Sequence, residues 1–232
     1  MQPKSAQPST TTPKGGRWRR RKHARPAEIV AAALKVFSER GFNATRLDDV
    51  ARSAGVSKGT VYLYFENKEA LFRAVVAEEV LPQIARVEKM VDAYSGDMAE
   101  LLRQLVEQWW ETVGESPLSG IPKLMMAEAS NFPELACFYV DNVVRRVRRI
   151  LVRVVERGID DGQFRSCDPA YVARALLAPL VFSVVWRRSL EQFDSDPYDA
   201  RTFLHVQLEL TLHGLTRTAA TTGASSDDGP RH

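Results

Sequence analysis

Apolar residues recur every three or four positions along most of residues 26–216, and this spacing constrains the fold more than any other feature of the chain. A period near 3.6 places apolar side chains on one face of an α-helix. Residues 133–158 show the pattern most clearly, with Val140, Val147 and Val154 on one side. We find neither strand-like alternation nor an Asn-Gly or Asp-Gly hairpin turn between apolar runs. The sequence therefore predicts an all-α protein with about nine helices.

Local start and stop residues predict where the first helices lie. The first is expected at residues 26–41, because Pro26 suits the first turn of a helix. Thr45, with Asp48 three positions further on, is the predicted N-cap of a short second helix. Ser57 is the predicted N-cap of a short third helix. Six longer helices are expected to follow.

These helices form two predicted groups. Residues 26–72 are expected to fold as a three-helix N-terminal domain, and residues 73–216 as a larger helical bundle. Residues 1–25 and 217–232 contain almost nothing to bury, so no core would offset the entropy of ordering them. We predict that both terminal segments are disordered.

Charge is divided unevenly along the chain. Residues 1–66 carry 13 Lys and Arg against 5 Asp and Glu, a net charge of +8, whereas the remaining residues carry −5. Phosphates dominate the affinity of proteins for nucleic acids, so a basic N-terminal third on an acidic body favours a nucleic-acid-binding protein. An expression tag or a solvated tail ahead of an ordinary domain would give the same imbalance.

Several classes of protein are disfavoured by composition. Cys137 and Cys167 are too few for a disulfide framework and lack the spacing of a metal site. The longest apolar run, residues 175–186, is shorter than the roughly 20 residues that span a bilayer. The polar, basic N-terminus does not resemble a secretory signal. We therefore predict a cytoplasmic protein with neither a membrane span nor a bound metal.

Catalytic motifs are not found in the sequence. It contains no GxSxG, no HExxH and no Gly-rich phosphate loop, and its four histidines are distant in sequence from both cysteines. Sequence distance does not exclude a triad assembled in space. We predict that the protein is not an enzyme and requires no cofactor.

Residues 45–65 have the arrangement of a helix-turn-helix, in which two short helices flank a four-residue connection containing glycine. The third helix begins with small and polar residues that would allow close entry into a major groove. The same residues would suit the solvated start of a helix in an ordinary three-helix domain. On spacing alone, both interpretations stay open.

The helix-turn-helix segment and its flanking residues also carry a family resemblance. Residues 46–72 read RLDDVARSAGVSKGTVYLYFENKEALF, preceded by AALKVFSERGFNAT. This segment resembles the N-terminal DNA-binding domain of the TetR/AcrR family of transcriptional regulators. The resemblance covers residues 26–76, about a fifth of the chain. The remainder is similar to the family only in length and helical character, and the long basic N-terminal extension departs from the family's compact pattern.

The resemblance implies which residues contact double-stranded operator DNA. Lys58 and Thr60 are our choice for contacts with base edges, whereas tyrosine hydroxyls and Lys68 suit phosphates. Residues 17–22, RWRRRK, form a further candidate that would reach into a minor groove, with a solubilising tail as the alternative. The full implied set is Thr45, Arg46, Ser57, Lys58, Gly59, Thr60, Tyr62, Tyr64 and Lys68.

Seven residues of the larger bundle are candidates for an apolar pocket that binds a small-molecule effector. Effector pockets are mostly apolar, and methionine and aromatic side chains adapt to varied ligands. For any single one of these residues, ordinary core is the preferred interpretation, and the sequence does not indicate which effector would bind. The seven are Trp109, Trp110, Met125, Met126, Phe138, Phe182 and Trp186.

The last two helices are predicted at residues 168–190 and 196–216, because Asp168 and Asp196 are each followed by proline, an N-cap with a favourable first helical residue. The resemblance implies that these helices form the dimer surface. The first of them has more apolar residues than one buried stripe requires, as expected of a helix covered by its own domain and by a partner.

We therefore predict a homodimeric transcriptional regulator, a repressor that a small-molecule effector releases from a palindromic operator. Two alternatives remain open on the sequence. One is a protein that binds DNA without sequence preference through its basic N-terminal arm. The other is an all-α enzyme built on the same helical scaffold.

Overall fold

The computed structural model describes residues 15–216, with side chains from residue 25 onward. The predictions for residues 1–14 and 217–232 lie outside the described residues. Within residues 15–216 there are nine continuous helices and no strand, because π-helical turns join α4 to α5 and α8 to α9. The all-α prediction is confirmed. The helices are α1 (Gly15–Arg40), α2 (Leu47–Ser53), α3 (Lys58–Tyr64), α4 (Lys68–Val75), α5 (Leu81–Ala93), α6 (Met98–Trp109), α7 (Gly120–Glu128), α8 (Pro133–Tyr139), α9 (Arg145–Asp160), α10 (Pro169–Ser189) and α11 (Ala200–Leu215).

Helices α1 to α4 form the head (residues 15–75), which has an aromatic centre. The ring of Phe42 stacks on that of Phe37 at a centroid distance of 5.4 Å and meets Phe72 edge-on at 5.8 Å. Val61 of α3 is fully buried beside this core. Because α3 is anchored by so few inward side chains, most of its surface stays outside the head.

The connection between α2 and α3 depends on a glycine. Gly55 has a φ of +65°, a conformation that costs glycine little and other residues more. The following Val56 packs against the core. This turn brings α3 across α2, as the helix-turn-helix prediction requires.

A widened turn links the head to the remaining helices, the body (residues 76–216). The π-helical turn Val76–Val80 lies between α4 and α5, and Pro82 follows in the first turn of α5. Proline has no N–H to donate and its ring would clash with the carbonyl four residues earlier in a regular α-helix. The π turn at this position allows α4 and α5 to form one continuous helix from head to body.

Helix α10 is the central helix of the body and contacts α7, α9 and α11. Helix α9 packs against α10, and Val154 and Val155 of α9 are fully buried. Helix α7 and the short 3₁₀ helix Pro117–Ser119 also contact α1 of the head. Head and body therefore share one continuous core of buried residues.

Three predicted helix starts differ from the structure. Helix α1 begins at Gly15, inside the segment predicted to be disordered, and Pro26 lies within this helix in spite of the roughly 3 kcal/mol that an interior proline costs. The N-cap of α2 is Arg46, whose N–H donates to the Asp49 carboxylate at 3.2 Å, and not Thr45. Helix α11 is capped by Asp199, which accepts from the Thr202 N–H at 2.7 Å, and not by Asp196.

Candidate DNA-binding interface

The exposed face of α3 consists of consecutive pairs of residues one helical turn apart. Lys58 and Gly59 begin it, and Tyr62 and Leu63 continue it. Ser57 caps the helix by accepting a hydrogen bond from the Thr60 N–H at 3.2 Å, as predicted from the sequence. The helix therefore presents its N-terminal half outward, in the manner of a recognition helix.

Lys58 is held at the start of this face by a carboxylate of α2. Its Nζ lies 2.9 Å from Asp48 Oδ1, and 5.7 Å from the centre of the Tyr62 ring. The hydrogen bond and the attraction of Asp48 raise the pKa of Lys58 above its ordinary value, so the side chain stays charged. The pair is exposed to solvent, and DNA phosphates or base acceptors can compete with Asp48 for the ammonium group.

Gly59 and Thr60 shape the surface beside Lys58. A Cβ added to Gly59 would meet only Ser57 Oγ, at 3.9 Å, so the helix backbone is open to close approach. The hydroxyl groups of Ser57 and Thr60 lie 2.8 Å apart and share a hydrogen bond. Thr60 is half-buried, whereas Lys58 is exposed.

Two residues of the implied contact set are engaged inside the protein. Thr45 is 2% exposed, its hydroxyl donates to the Gly41 carbonyl at 2.6 Å and its N–H donates to the Phe42 carbonyl. Lys68 donates to the carbonyls of Phe42 and Asn43 at 3.1 and 3.2 Å. In this conformation both side chains fix the turn between α1 and α2, and their assignment to operator contacts stays a prediction.

The remaining predicted contacts divide by exposure. Arg46 is exposed at the start of α2, and Tyr62 is 49% exposed on α3. Tyr64 is half-buried and packs against the core. The prediction overlooked Leu63, which is 74% exposed on the same face. The sequence does contain a signal for this exposure. Leu63 lies one helical turn after Gly59 and does not share the helix face of Val61 and Phe65, which are buried.

The turn between α1 and α2 also contacts the body. Phe132, just before α8, meets the Phe42 ring edge-on at a centroid distance of 4.8 Å, and Lys68 Nζ lies 5.5 Å from the Phe132 ring. The Asn43 N–H donates to Glu128 Oε1 at 3.2 Å. The residues that hold the helix-turn-helix in place thus also join it to α7 and α8.

A second contact between head and body lies at the start of α7. Gly120 packs directly on Ser38 of α1, and a Cβ added to Gly120 would lie 2.3 Å from Ser38 Oγ and 2.8 Å from Ser38 Cα. Arg188 of α10 donates to Ser119 Oγ beside this glycine at 2.6 Å. Helices α1, α7 and α10 are therefore linked through adjoining contacts.

The predicted pocket residues do not line one cavity. Met126 is 67% exposed and Phe182 is 48% exposed, so both point outward. The Trp110 indole is buried and donates to Glu115 Oε1 at 3.1 Å, and the Phe138 ring lies under the Arg73 guanidinium of the head. Trp109 and Trp186 are half-buried, and Met125 is buried. The structure therefore does not bring Met126 and Phe182 together with the buried candidates, and the assignment of all seven residues to a pocket stays a prediction.

The enclosed space between α6, α10 and α11 is small. It has a volume of about 10 Å³ and is lined by apolar side chains that include Val106, Leu180 and Leu208. A larger depression of about 530 Å³ lies on the surface between α6 and α11, where Glu107 contacts both Arg201 and His205. In this conformation the space between α6, α10 and α11 is therefore too small for an effector.

Family models match both parts of the chain. Residues 29–75 match the model described as bacterial regulatory proteins of the tetR family, and residues 92–197 match the model of a tetracyclin repressor-like C-terminal domain. The chain belongs to the TetR family of transcriptional regulators. It is therefore a DNA-binding transcriptional regulator. The sequence-based prediction of this function is confirmed.

Similar proteins cover more than four-fifths of the chain. The fatty acid metabolism regulator protein of Bacillus subtilis is 24% identical over 84% of this chain and 98% of its own length. The structure of Bacillus subtilis FadR in complex with stearoyl-CoA has a TM-score of 0.66 at 22% identity, covering 81% of this chain and 98% of that one. The ketosteroid regulator KstR2 of Mycobacterium tuberculosis has a TM-score of 0.64 at 26% identity, covering 84% and 96%.

One described helix is long and apolar enough to cross a membrane by length and composition alone. It is α10, Pro169–Ser189, and 28% of its most apolar window is buried within the protein. The prediction of no membrane span rested on the uninterrupted apolar run, which is shorter than this helix. Much of the apolar surface of α10 thus remains uncovered in the single chain.

Proposed function

We propose that the chain acts as a homodimer whose two α3 helices enter successive major grooves of an inverted-repeat operator. The observation that carries this proposal is the exposed face of α3, which combines the Lys58 ammonium group, an open backbone at Gly59 and the Tyr62 hydroxyl. Arg46 and Ser57 lie at its edge. Thr60 and Tyr64 are both half-buried, so their side chains must shift slightly before they contact DNA.

The dimer surface is formed by α10 and α11 in this proposal. Four large apolar side chains of the two helices are exposed in the single chain: Tyr171, Phe182, Val206 and Leu210. An apolar surface spread over two neighbouring helices is typical of a protein interface. A second copy of α10 and α11 would cover it, which also accounts for the apolar composition of α10 without a membrane. We accordingly place the protein in the cytoplasm, with DNA.

Because the body is tightly packed, an effector that binds inside it moves helices, and this movement causes release from DNA in our proposal. An effector that enters between α6, α10 and α11 must move these helices, because the space there holds about 10 Å³. Movement of α10 and α7 is passed to α1 through Arg188, Ser119 and the contact of Gly120 on Ser38. The ligand favours the conformation in which it binds best, and the two heads then no longer match the operator spacing.

We propose a long-chain acyl-CoA as the effector. The fatty acid metabolism regulator of Bacillus subtilis is similar over almost its whole length, and the structure of Bacillus subtilis FadR contains stearoyl-CoA. A long apolar chain with a polar, anionic end would occupy apolar space among α6, α10 and α11 while its charged part stays in solvent. Steroid-derived ligands are the second candidate, because the ketosteroid regulator KstR2 is also similar.

The effector proposal is tested by titrating stearoyl-CoA into the complex of the protein with its operator duplex and following release by fluorescence anisotropy. We expect release at micromolar concentrations, and no release by free coenzyme A. Binding that persists at saturating stearoyl-CoA would contradict this choice of effector, and the same titration with a ketosteroid then tests the second candidate.

Replacing Gly120 with alanine should weaken operator binding although this residue lies far from α3. The added Cβ would lie 2.3 Å from Ser38 Oγ, so α7 and α1 must move apart. Overpacking of this kind costs roughly 1–3 kcal/mol, and a share of that strain is relieved by displacing the head. We expect about a tenfold loss of operator affinity in an anisotropy titration.

Met126→Ala is the matched control for Gly120→Ala. Met126 lies on the solvent side of the same helix, so its truncation should leave operator affinity unchanged. The double variant Ser38→Gly/Gly120→Ala should recover part of the loss, because the Oγ and Cβ atoms of Ser38 are removed. Normal operator affinity of Gly120→Ala would show that the α1–α7 contact does not position the head.

A further inference from the structure

Leu63 is unusual among the apolar residues of the head. Of the described side chains at residues 25–75, the large hydrophobic ones that are exposed are Tyr62 and Leu63, and Leu63 is the more exposed at 74%. The neighbouring Val61 and Phe65 are buried and already anchor α3. Leu63 thus adds little to the head core, and its exposed apolar surface lies on the face that we assign to DNA.

The position of Leu63 on α3 places it over an open part of the helix. In an α-helix, a long side chain leans toward the turn that precedes it, so Leu63 covers the surface at Gly59. A Cβ at Gly59 would have only Ser57 Oγ within 4 Å, which leaves room there for another molecule. Lys58 and Tyr62 flank this space. An approaching base edge would therefore meet an apolar surface bordered by a cation and a hydroxyl.

The chemistry of the major groove limits what Leu63 can contact favourably. Base edges there present hydrogen-bond donors and acceptors, and their one apolar group is the 5-methyl of thymine. Leucine cannot hydrogen-bond, so pressing it against a donor or acceptor would leave that group without water or a partner. Against a thymine methyl, the same contact removes apolar surface from water on both sides.

We propose that Leu63 is a specificity-determining residue that recognises the 5-methyl group of one thymine in each operator half-site. The proposal rests on the proposed function, in which α3 enters the major groove. Lys58 and Tyr62 position the helix and add hydrogen bonds, and Leu63 selects thymine over cytosine and over uracil at one position. Burying one methyl group contributes about fourfold in affinity, and the two copies in a dimer together contribute about fifteenfold.

The test uses an operator duplex recovered from a random pool with the wild-type protein. Each symmetric pair of thymines is replaced in turn by deoxyuridine, which lacks only the methyl group, and affinities are measured for the wild type and for Leu63→Ala. We expect one pair whose replacement weakens the wild type about fifteenfold and leaves Leu63→Ala unaffected. Leu63→Met, which keeps a flexible apolar side chain, should retain part of the sensitivity to the methyl group.

The outcomes separate this proposal from the one on which it rests. If the wild type prefers no duplex over random DNA, the proposed function fails and the role of Leu63 fails with it. If the wild type binds an operator but no deoxyuridine pair changes its affinity, only the role of Leu63 is overturned. The same holds if the wild type and Leu63→Ala lose equal affinity at every pair. Thermal unfolding of Leu63→Ala provides the folding control, because an exposed side chain is removed.

Discussion

Replacing Lys58 with alanine is expected to lower the affinity of the dimer for its operator about 100-fold. Lys58 begins the exposed face of α3, and Asp48 holds its Nζ at 2.9 Å on the outer side of the helix-turn-helix. A good side-chain contact with a base edge contributes roughly 1–3 kcal/mol, and each dimer loses two such contacts. The exposed ion pair with Asp48 contributes little to stability, so the head should remain folded.

Anisotropy titrations with the operator and with a scrambled duplex measure this effect. Lys89→Ala is the matched control, because Lys89 is an exposed lysine of α5 in the body and its removal changes the net charge equally. Circular dichroism should show the same helical content for both variants. Equal operator affinity of Lys58→Ala and Lys89→Ala would show that α3 does not read the operator through Lys58.

Replacing Phe42 with alanine is expected to destabilise the head by about 3–5 kcal/mol, the usual range for a fully buried phenylalanine. The Phe42 ring is enclosed by Phe37, Phe72 and Phe132 at centroid distances of 5.4, 5.8 and 4.8 Å. Lys68 Nζ lies 4.6 Å from the centre of the same ring. The cavity left by the ring would therefore loosen the head core and its contact with the body together.

Urea denaturation followed by circular dichroism gives the loss in the free energy of unfolding. Leu63→Ala is the comparison, since it removes an exposed apolar side chain of the same domain and should change stability by no more than about 0.5 kcal/mol. A loss below about 1 kcal/mol for Phe42→Ala would contradict the packing described for the head. We also expect the Phe42→Ala head to lose operator binding at temperatures where the body is still folded.

The helical architecture could be predicted because its signals are local. The apolar period, the N-cap at Ser57 and the Asp168-Pro169 pair each depend on residues within one or two turns, and the structure keeps all three. The helix-turn-helix was found for the same reason, since a short ordered motif contains the whole unit. The start of α2 differs by a single residue, from Thr45 to Arg46, a shift no larger than the variation common at helix ends.

The sequence pattern could not predict which side chains of the DNA interface make contacts inside the protein, because contacts such as those of Lys68 join residues that are distant in sequence. Nothing in the spacing shows that Lys68 turns inward to the Phe42 and Asn43 carbonyls, or that Thr45 donates to Gly41. Both residues belong to the family motif, yet here they support the turn that positions α2. Leu63 shows the opposite difference, since a leucine in a helix is normally assigned to the core but this one is exposed.

The effector pocket could not be predicted because apolar periodicity does not distinguish core, partner surface and ligand site. Phe182 lies at helical spacing among buried residues of α10, but it belongs to the exposed face that we assign to the partner. Met126 faces solvent although Met125 beside it is buried. In our proposal the pocket opens only when a ligand separates the helices, and such a pocket leaves no mark on the apolar pattern of the sequence.

Selection of preferred duplexes from a random DNA pool tests the central claim most directly. The full chain is used at moderate salt with non-specific competitor DNA, so that phosphate contacts alone do not retain a duplex. We predict an inverted repeat whose half-site centres lie one helical turn apart, ~34–36 Å, the spacing that two α3 helices of a dimer would read. Retention of DNA without enrichment of any sequence would contradict a sequence-specific dimeric regulator and would favour non-specific binding through the basic N-terminal segment.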